Sequence, residues 1–385
     1  MSVSSVSGSG HGSLQREQLS ASSLAVYLGA VALLHAAFWK LPTPDYTQFL
    51  QYWYRHLADQ GLAQAFAAPF GNYSPPYLYL LGLLTFTEPF LAPLDAIKTL
   101  SLAGNAWLAF AVFRLLSTAK AGQEERGGLL VLLLPTMAAQ VVFFSQCDAL
   151  WAAPCVLAVT AAIERRHAAM LVWAGVAFAF KAQAAFLAPF LFAVLLSRRV
   201  GPGYWLIPPL VTAAMMVPAW LAGWPARDLL LVYIRQGGQL QSFISNAPDP
   251  WVLGAVLAPE LTRPLIPFGF LLSAIAALAL AWRLRLSLGS AREIVTAALL
   301  SAILVPFVLP KMHERYFLLT DVLAFALAYA WPGRATIGIA LATSLGSALA
   351  IVAYLWQRPE VAILGAASMS VALVLVIREL RAVRR

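Results

Sequence analysis

Residues 165–199 read RRHAAMLVWAGVAFAFKAQAAFLAPFLFAVLLSRR. Between the two arginine pairs lie the residues 168–197, whose only ionisable side chain is Lys181. As one helix they would extend about 45 Å, against a hydrocarbon core of about 30 Å. Arginines collect on the cytoplasmic side of a membrane, so a pair at each end places both ends inside. The stretch is therefore predicted to be a hairpin of two short helices, broken at Lys181-Ala182-Gln183. Each arm is shorter than an ordinary span. The break then falls below the outer surface, in a wet cavity lined by protein, where irregular backbone is tolerated.

The rest of the 385-residue chain fits that setting. Hydrophobic residues make up 61% and charged residues 11%, where soluble domains average about 45–50% and about 25%. Mean hydropathy is +0.76. A soluble globular protein, a disordered chain and a disulfide scaffold are excluded. Apolar runs near 24–41, 95–117, 128–145, 148–163, 168–181, 182–197, 203–222, 264–282, 293–310, 316–331, 334–355 and 360–377 make twelve candidate spans. With that count, 16 of the 26 Lys and Arg fall on one side, joined by only 6 of the 17 acids. That side is cytoplasmic by the positive-inside rule, and both termini lie there. The fold class is all-α, a polytopic membrane helical bundle.

The net charge of +9 follows from those loops. No basic run carries interleaved aromatics, so no nucleic-acid partner is expected. Cys147 and Cys155 would stand about 12 Å apart on one helix, beyond disulfide reach, and no Cys/His cluster has zinc spacing. Residues 1–23 are rich in Ser and Gly and read as a flexible cytoplasmic tail. The apolar run after them lacks a cleavage site and reads as a retained helix. Residues 24–385 form a single membrane domain. The tail and the short loops fit a bacterial inner (plasma) membrane.

Two outward loops are long, 42–94 and 223–263, and neither can hold a core of its own. Within the first, Pro76–Leu91 is apolar. A full crossing there would turn every later arginine pair outward, so it reads as a helix lying in the outer interface. Before it, Thr43 can cap a helix, Pro44 takes its first position and Gly61 stops it. Tyr46, Phe49, Leu50, Trp53 and Leu57 form an apolar face opposite Gln48, Gln51, Arg55, His56 and Asp59, as in an interfacial amphipathic helix.

Five places carry candidate chemistry. Asp45, in the first turn of that helix, is either an acid favoured by the helix dipole or a general base at the mouth of a cavity. Tyr73-Ser74-Pro75-Pro76 is an interface belt or a rigid turn holding the first helix against the bundle. Glu88 and Asp95 read as solvated loop acids. Asp148, in Ser145-Gln146-Cys147-Asp148, is a helix cap or an acid facing the same side as Asp45. Lys181 is a snorkelling side chain or a cavity cation. Lys311-Met312-His313-Glu314-Arg315 packs four titratable side chains into an outward turn. Lys311, His313 and Arg315 suit a phosphate, and Glu314 suits an arginine or a substrate hydroxyl. A purely structural turn is the alternative. A carboxylate with several cations, and no P-loop or dinucleotide fingerprint, suits transfer from a phosphate leaving group, the donor being a membrane-soluble phospholipid-like molecule.

Asp45-Tyr46 with Gln48 and Trp53, then Tyr73-Ser74-Pro75-Pro76, is similar to the first lumenal loop of GT-C glycosyltransferases. The nearest types are the dolichyl-phosphate-glucose-dependent glucosyltransferases of N-glycan assembly and their bacterial relatives. Phe180-Lys181-Ala182-Gln183 with Phe186 and Pro189 resembles a second family stretch, and Met312-His313-Glu314-Arg315-Tyr316 resembles the late His-Glu-basic motif. The matches run in order from 42 to 320. The resemblance implies a GT-C type bundle with juxtamembrane helices over an outer cavity. It implies a polyprenyl-phosphate-linked sugar as donor and a hydroxyl-bearing lipid or glycan as acceptor. Asp45 would be the catalytic base. Lys181, Lys311, His313 and Arg315 would lie at the donor phosphate, and Asp148, Glu314, Tyr73 and Gln183 at the substrate. Stretches 146–151 and 223–263 depart from the pattern, leaving sugar and acceptor open. With only Asp45 and Asp148 as outward metal ligands, no metal and no other cofactor is expected. The competing classes are a secondary transporter, which twelve spans and a broken hairpin also fit, and a lipid-linked glycan ligase or polymerase using a diphosphate donor.

Overall fold

A computed structural model describes residues 20–239, 246–286 and 288–384. The tail expected over 1–23 lies outside the described residues as far as residue 19, and so do 240–245 of the second long loop. Among the described residues every regular element is a helix, and the single β feature is an isolated antiparallel bridge between Asn246 and His313.

Helix α1 covers Ala21–Phe38, three residues earlier than expected, because the Ser20 hydroxyl caps it by accepting from the Ser23 amide at 3.1 Å. Two short helices follow, α2 at Gln51–Gln60 and α3 at Pro75–Leu84. Among the described residues, six helices are long and apolar enough to cross a membrane. They are α4 (Pro93–Ala119), α9 (Pro202–Leu221), α10 (Pro259–Leu284), α11 (Ala291–Val308), α13 (Arg334–Trp356) and α14 (Pro359–Val383). A seventh crossing is available if Glu124–Leu133 and α5 (Pro135–Phe144), bent by 57°, act as one. Shorter apolar helices are α1, α6 (Asp148–Ile163), α7 (His167–Phe180), α8 (Ala188–Ser197) and α12 (Leu318–Ala330). Each of the twelve expected segments thus carries a helix or a bent pair, of which six or seven reach the length of a crossing, and among the described residues the protein is an all-helical membrane protein.

Burial sorts the helices by depth. α6 is buried over nearly its whole length, and α11 over most of its own. Helices apolar all round need neighbours all round, and α4, α8 and α12 supply residues to the same core. Outward from it, α9 and α10 leave Leu210, Trp220, Phe268 and Leu278 exposed, as a lipid-facing surface does.

The 168–197 stretch turns back on itself. Lys181 ends α7 in extended backbone (φ −160°, ψ 139°), a 3-10 turn covers Ala182–Leu187, and α8 follows. Arg198, at the end of α8, donates from Nη1 to the Ala162 carbonyl at 2.7 Å and lies 3.5 Å from His167 Nε2. Both ends of the stretch therefore sit together. α3 is only ten residues long, about 15 Å, too short to cross. Asp95 differs from its reading as a solvated acid: it is buried and paired with Lys40 at 2.6 Å. Cys147 and Cys155 are both free and buried.

Candidate functional site

Lys98 on α4 sets the geometry that brings Asp45 to the bundle. Its ammonium, fully buried, donates to the carbonyls of Phe38 and Leu41 at 2.9 Å each and of Val142 at 3.3 Å. One cation thereby joins the end of α1 to the end of α5. Five residues after α1 ends, Thr43 Oγ1 contacts the Phe144 carbonyl and Ser145 Oγ, both at 3.2 Å, while accepting from the Tyr46 amide. The expected Thr43 cap is present, and Gly61 ends α2 with φ 74°. A π turn over Tyr46–Leu50 was not foreseen.

These ties place Asp45 beside Gln146 and Arg315. Gln146 Nε2 and Arg315 Nη1 each donate to Asp45 Oδ2 at 2.9 Å. Two side chains, rather than a helix end alone, hold its charge. Gln146 Oε1 accepts from Tyr73 Oη at 2.5 Å, and Tyr73 Oη accepts from Lys181 Nζ at 3.3 Å. Ser74 donates to the carbonyls of Ala179 and Phe180 at 2.7 and 2.9 Å. The rigid turn thus grips the tip of the hairpin rather than the first helix. Tyr233 reaches the same tip, donating to the Phe178 carbonyl.

Behind this wall lies the second acid. Asp148, fully buried, pairs through Oδ1 with Lys181 and accepts from Trp151 Nε1 at 3.0 Å. Its Oδ2 lies 3.6 Å from Arg315 Nε. Glu314, 1% exposed, stands 3.6 Å from Arg315 Nη1, and neither of its oxygens has a hydrogen-bond partner. Arg315 therefore touches three carboxylates and Lys181 one. Burial pushes the Glu314 carboxyl up to about 7, with Arg315 opposing. Burial, reinforced by Arg315 and Lys181, pulls the His313 imidazole down to about 3. With that shift His313 adds a neutral imidazole, rather than a further cation, to the cavity wall at pH 7.

Asp45, Tyr73, Lys181, Gln183, His313 and Arg315 all line one cavity of about 450 Å³, a volume in the range of small-molecule sites. Asp148 and Glu314 sit behind its surface, one contact removed, and Lys311, in left-handed backbone at φ 62°, is not among its lining residues. The wall also includes Gln48, Asn72, Gln146, Trp53, Tyr233, Tyr316 and Tyr354. Gln146 has the strongest connection of these and carried a signal, being an amide between two apolar runs beside Asp148. Tyr233 and Tyr354 carried none. The two acids weighed as outward metal ligands, Asp45 and Asp148, are paired with Arg315 and with Lys181 and Arg315 respectively.

The chain matches no model of a known protein family, and no curated protein resembles it at a significant level.

Proposed function

We propose that the protein is a membrane glycosyltransferase of the GT-C kind, moving a sugar from a polyprenyl-phosphate donor to an acceptor hydroxyl at the extracytoplasmic face. The carrying observation is the Asp45–Arg315 contact at 2.9 Å on the wall of a cavity that also presents Lys181. A base and two cations around one space of this size suit displacement at an anomeric carbon. Asp45 takes the acceptor O–H proton, the acceptor oxygen bonds to the anomeric carbon, and the bond from that carbon to the phosphate oxygen breaks. Polyprenyl phosphate leaves with its charge facing Arg315 and Lys181. In the resting state Asp45 is engaged by Arg315; a donor phosphate competes for the guanidinium and releases the carboxylate to the acceptor. Twelve crossings, with both termini cytoplasmic, and residence in a bacterial inner membrane belong to this reading.

The test is transfer by protein reconstituted in lipid, offered polyprenyl-phosphate and polyprenyl-diphosphate sugars, with mass spectrometry of lipids and glycans. Wild type transfers from the monophosphate donor, and Asp45→Asn loses about 10²–10⁴-fold while keeping wild-type elution and helicity. Near-wild-type transfer by that variant removes Asp45 from the chemistry. Transfer from the diphosphate alone selects the ligase or polymerase class. One observation favours a secondary transporter instead: Asp321, a buried carboxyl inside α12, since intramembrane acids mark ion paths in that class. Solute uptake into proteoliposomes without sugar transfer would establish it.

A further inference from the structure

Helices α10 and α14 close on the same pattern. On α10, Ile275, Leu278, Trp282 and Arg285 follow at i, i+3, i+7 and i+10. On α14, Val371, Val374, Arg378 and Arg381 do the same. That spacing keeps four side chains on one helix face. Ile275, Leu278, Val371 and Val374 are exposed, as lipid-facing residues are. Each stripe then turns to arginine. Trp282 is exposed too, and the Arg285 guanidinium lies 3.6 Å over its ring. A tryptophan at the end of a lipid-facing helix sits at headgroup level, so the arginines beside it stand at the level of the lipid phosphates. This is the end of the bundle away from the cavity. α11 starts here, with Arg292 paired to Glu379 of α14, and ends at Val308, just before the turn that carries His313.

The acids at this end are already engaged. Glu379 accepts from Arg292 Nε at 2.8 Å and Nη2 at 2.5 Å. Glu293 Oε2 accepts from the amides of Gly289 and Ser290 at 2.9 and 2.8 Å, closing the start of α11. Among the described residues, Arg283, Arg285, Arg378, Arg381 and Arg384 have no ion pair. Arg283 of α10 acts on Arg384 of α14 as a like charge, with Glu293 the acid that opposes it. Arg285 Nε and Arg384 Nε and Nη2 are shut away from solvent without a hydrogen-bond partner. Half-buried guanidinium groups without a counter-charge are costly, and an anion arriving on the same groups offsets that cost.

Charge complementarity selects the occupant. A phosphodiester presents oxygens that fit guanidinium forks. A zwitterionic headgroup brings an ammonium along with its phosphate, and no unpaired carboxylate stands here to receive it. An anionic headgroup brings none. We propose that the ends of α10 and α14 form a binding surface for the headgroup of an anionic phospholipid, held by Arg285, Arg381 and Arg384. The surface is independent of the reaction assigned to the cavity.

The test uses the full chain in a neutral detergent, with radiolabelled phosphatidylglycerol and phosphatidylcholine as the probes. Wild type is expected to bind phosphatidylglycerol saturably and at least tenfold more tightly than phosphatidylcholine, with an affinity that falls as salt is added. The triple variant Arg285→Gln, Arg381→Gln, Arg384→Gln loses at least tenfold in phosphatidylglycerol affinity, since each arginine near an anionic surface contributes separately. Should it fail to fold, Arg381→Gln decides alone, because that side chain is exposed, and it binds at least threefold more weakly than wild type. Arg55→Gln, at the cavity end, binds as wild type does. Equal affinity of wild type for the two lipids overturns the proposal. Undiminished phosphatidylglycerol binding by a folded variant overturns it as well, and so does an equal loss in Arg55→Gln, because the attraction is then spread over the whole protein.

Discussion

Arg315 is the residue on which the cavity's charges converge, with Asp45 at 2.9 Å and Asp148 and Glu314 at 3.6 Å each. A lysine has one compact charge and cannot reach three acids from a planar fork. Arg315→Lys is expected to lower transfer by about 10²–10³-fold, the loss typical of a donor aimed at developing negative charge, with steady-state kinetics as the measure. Glu314 sets a pH dependence of stability. Its folded value of about 7 lies above the ordinary carboxyl value of 4.5, so its contribution is full below about 4.5 and is lost as pH rises through 7. The shift corresponds to about 3 kcal/mol at most. Glu314→Gln, which mimics the neutral acid, should therefore melt above wild type at pH 8.5 and show little advantage at pH 5. A wild-type midpoint that stays level between those pH values, relative to the variant, contradicts a buried neutral Glu314. At this scale Asp45, Lys181 and Arg315 were legible because each is a charge stranded between apolar runs. The Asp148–Lys181 pair was not, since nothing in a spacing of 33 residues says that two helix ends meet. Tyr354 was hidden for the opposite reason: it sits in an ordinary apolar span.

Between elements, the informative contact is Lys98. Its three carbonyl acceptors belong to two chain segments that lead, a few residues later, to Asp45 and Gln146. Lys98→Met keeps the stem and removes the shared donor; the Phe38 carbonyl keeps the Leu41 amide at 3.1 Å, and each of the other two left unpaired costs about 1–3 kcal/mol. The expected result is a loss of roughly 3 kcal/mol or more, read as a lower thermal midpoint in detergent, together with weaker transfer because Asp45 is no longer held against Gln146. A variant with wild-type midpoint and wild-type transfer would show that the lysine welds nothing. The hairpin at 168–197 was legible because the arginine pairs are an electrostatic signal that survives without any structure. The π turn at Tyr46–Leu50 and the 57° bend at Pro135 were not read out. Each changes the course of a helix by only a residue or two, while apolar periodicity averages over a whole turn.

For the whole molecule the question is which end of the bundle faces out. One end gathers the contacts of the arginine-rich loops. Thr118 bonds Glu164 at 3.1 Å, Arg198 reaches Ala162 at 2.7 Å, Tyr329 reaches the Gln123 carbonyl at 2.8 Å, and Arg292 Nε meets Glu379 at 2.8 Å. The other end holds the cavity, α2, α3 and the Lys40–Asp95 and Arg55–Glu88 pairs. Membrane insertion keeps Lys and Arg loops inside, so the cavity end should be extracytoplasmic. Cysteines placed singly at exposed Asp59 or Gln357 should react with an impermeant maleimide in intact cells. Those at exposed Lys120 or Gly201 should react only after the membrane is opened. Cys147 and Cys155 are buried, which keeps the background low. Because α13 ends at Trp356 and α2 at Gln60, Asp59 and Gln357 report on opposite ends of the sequence, and an even number of crossings must separate them. Labelling of the two from different compartments would require an odd number, and the arrangement of twelve spans with a single outward cavity could not stand.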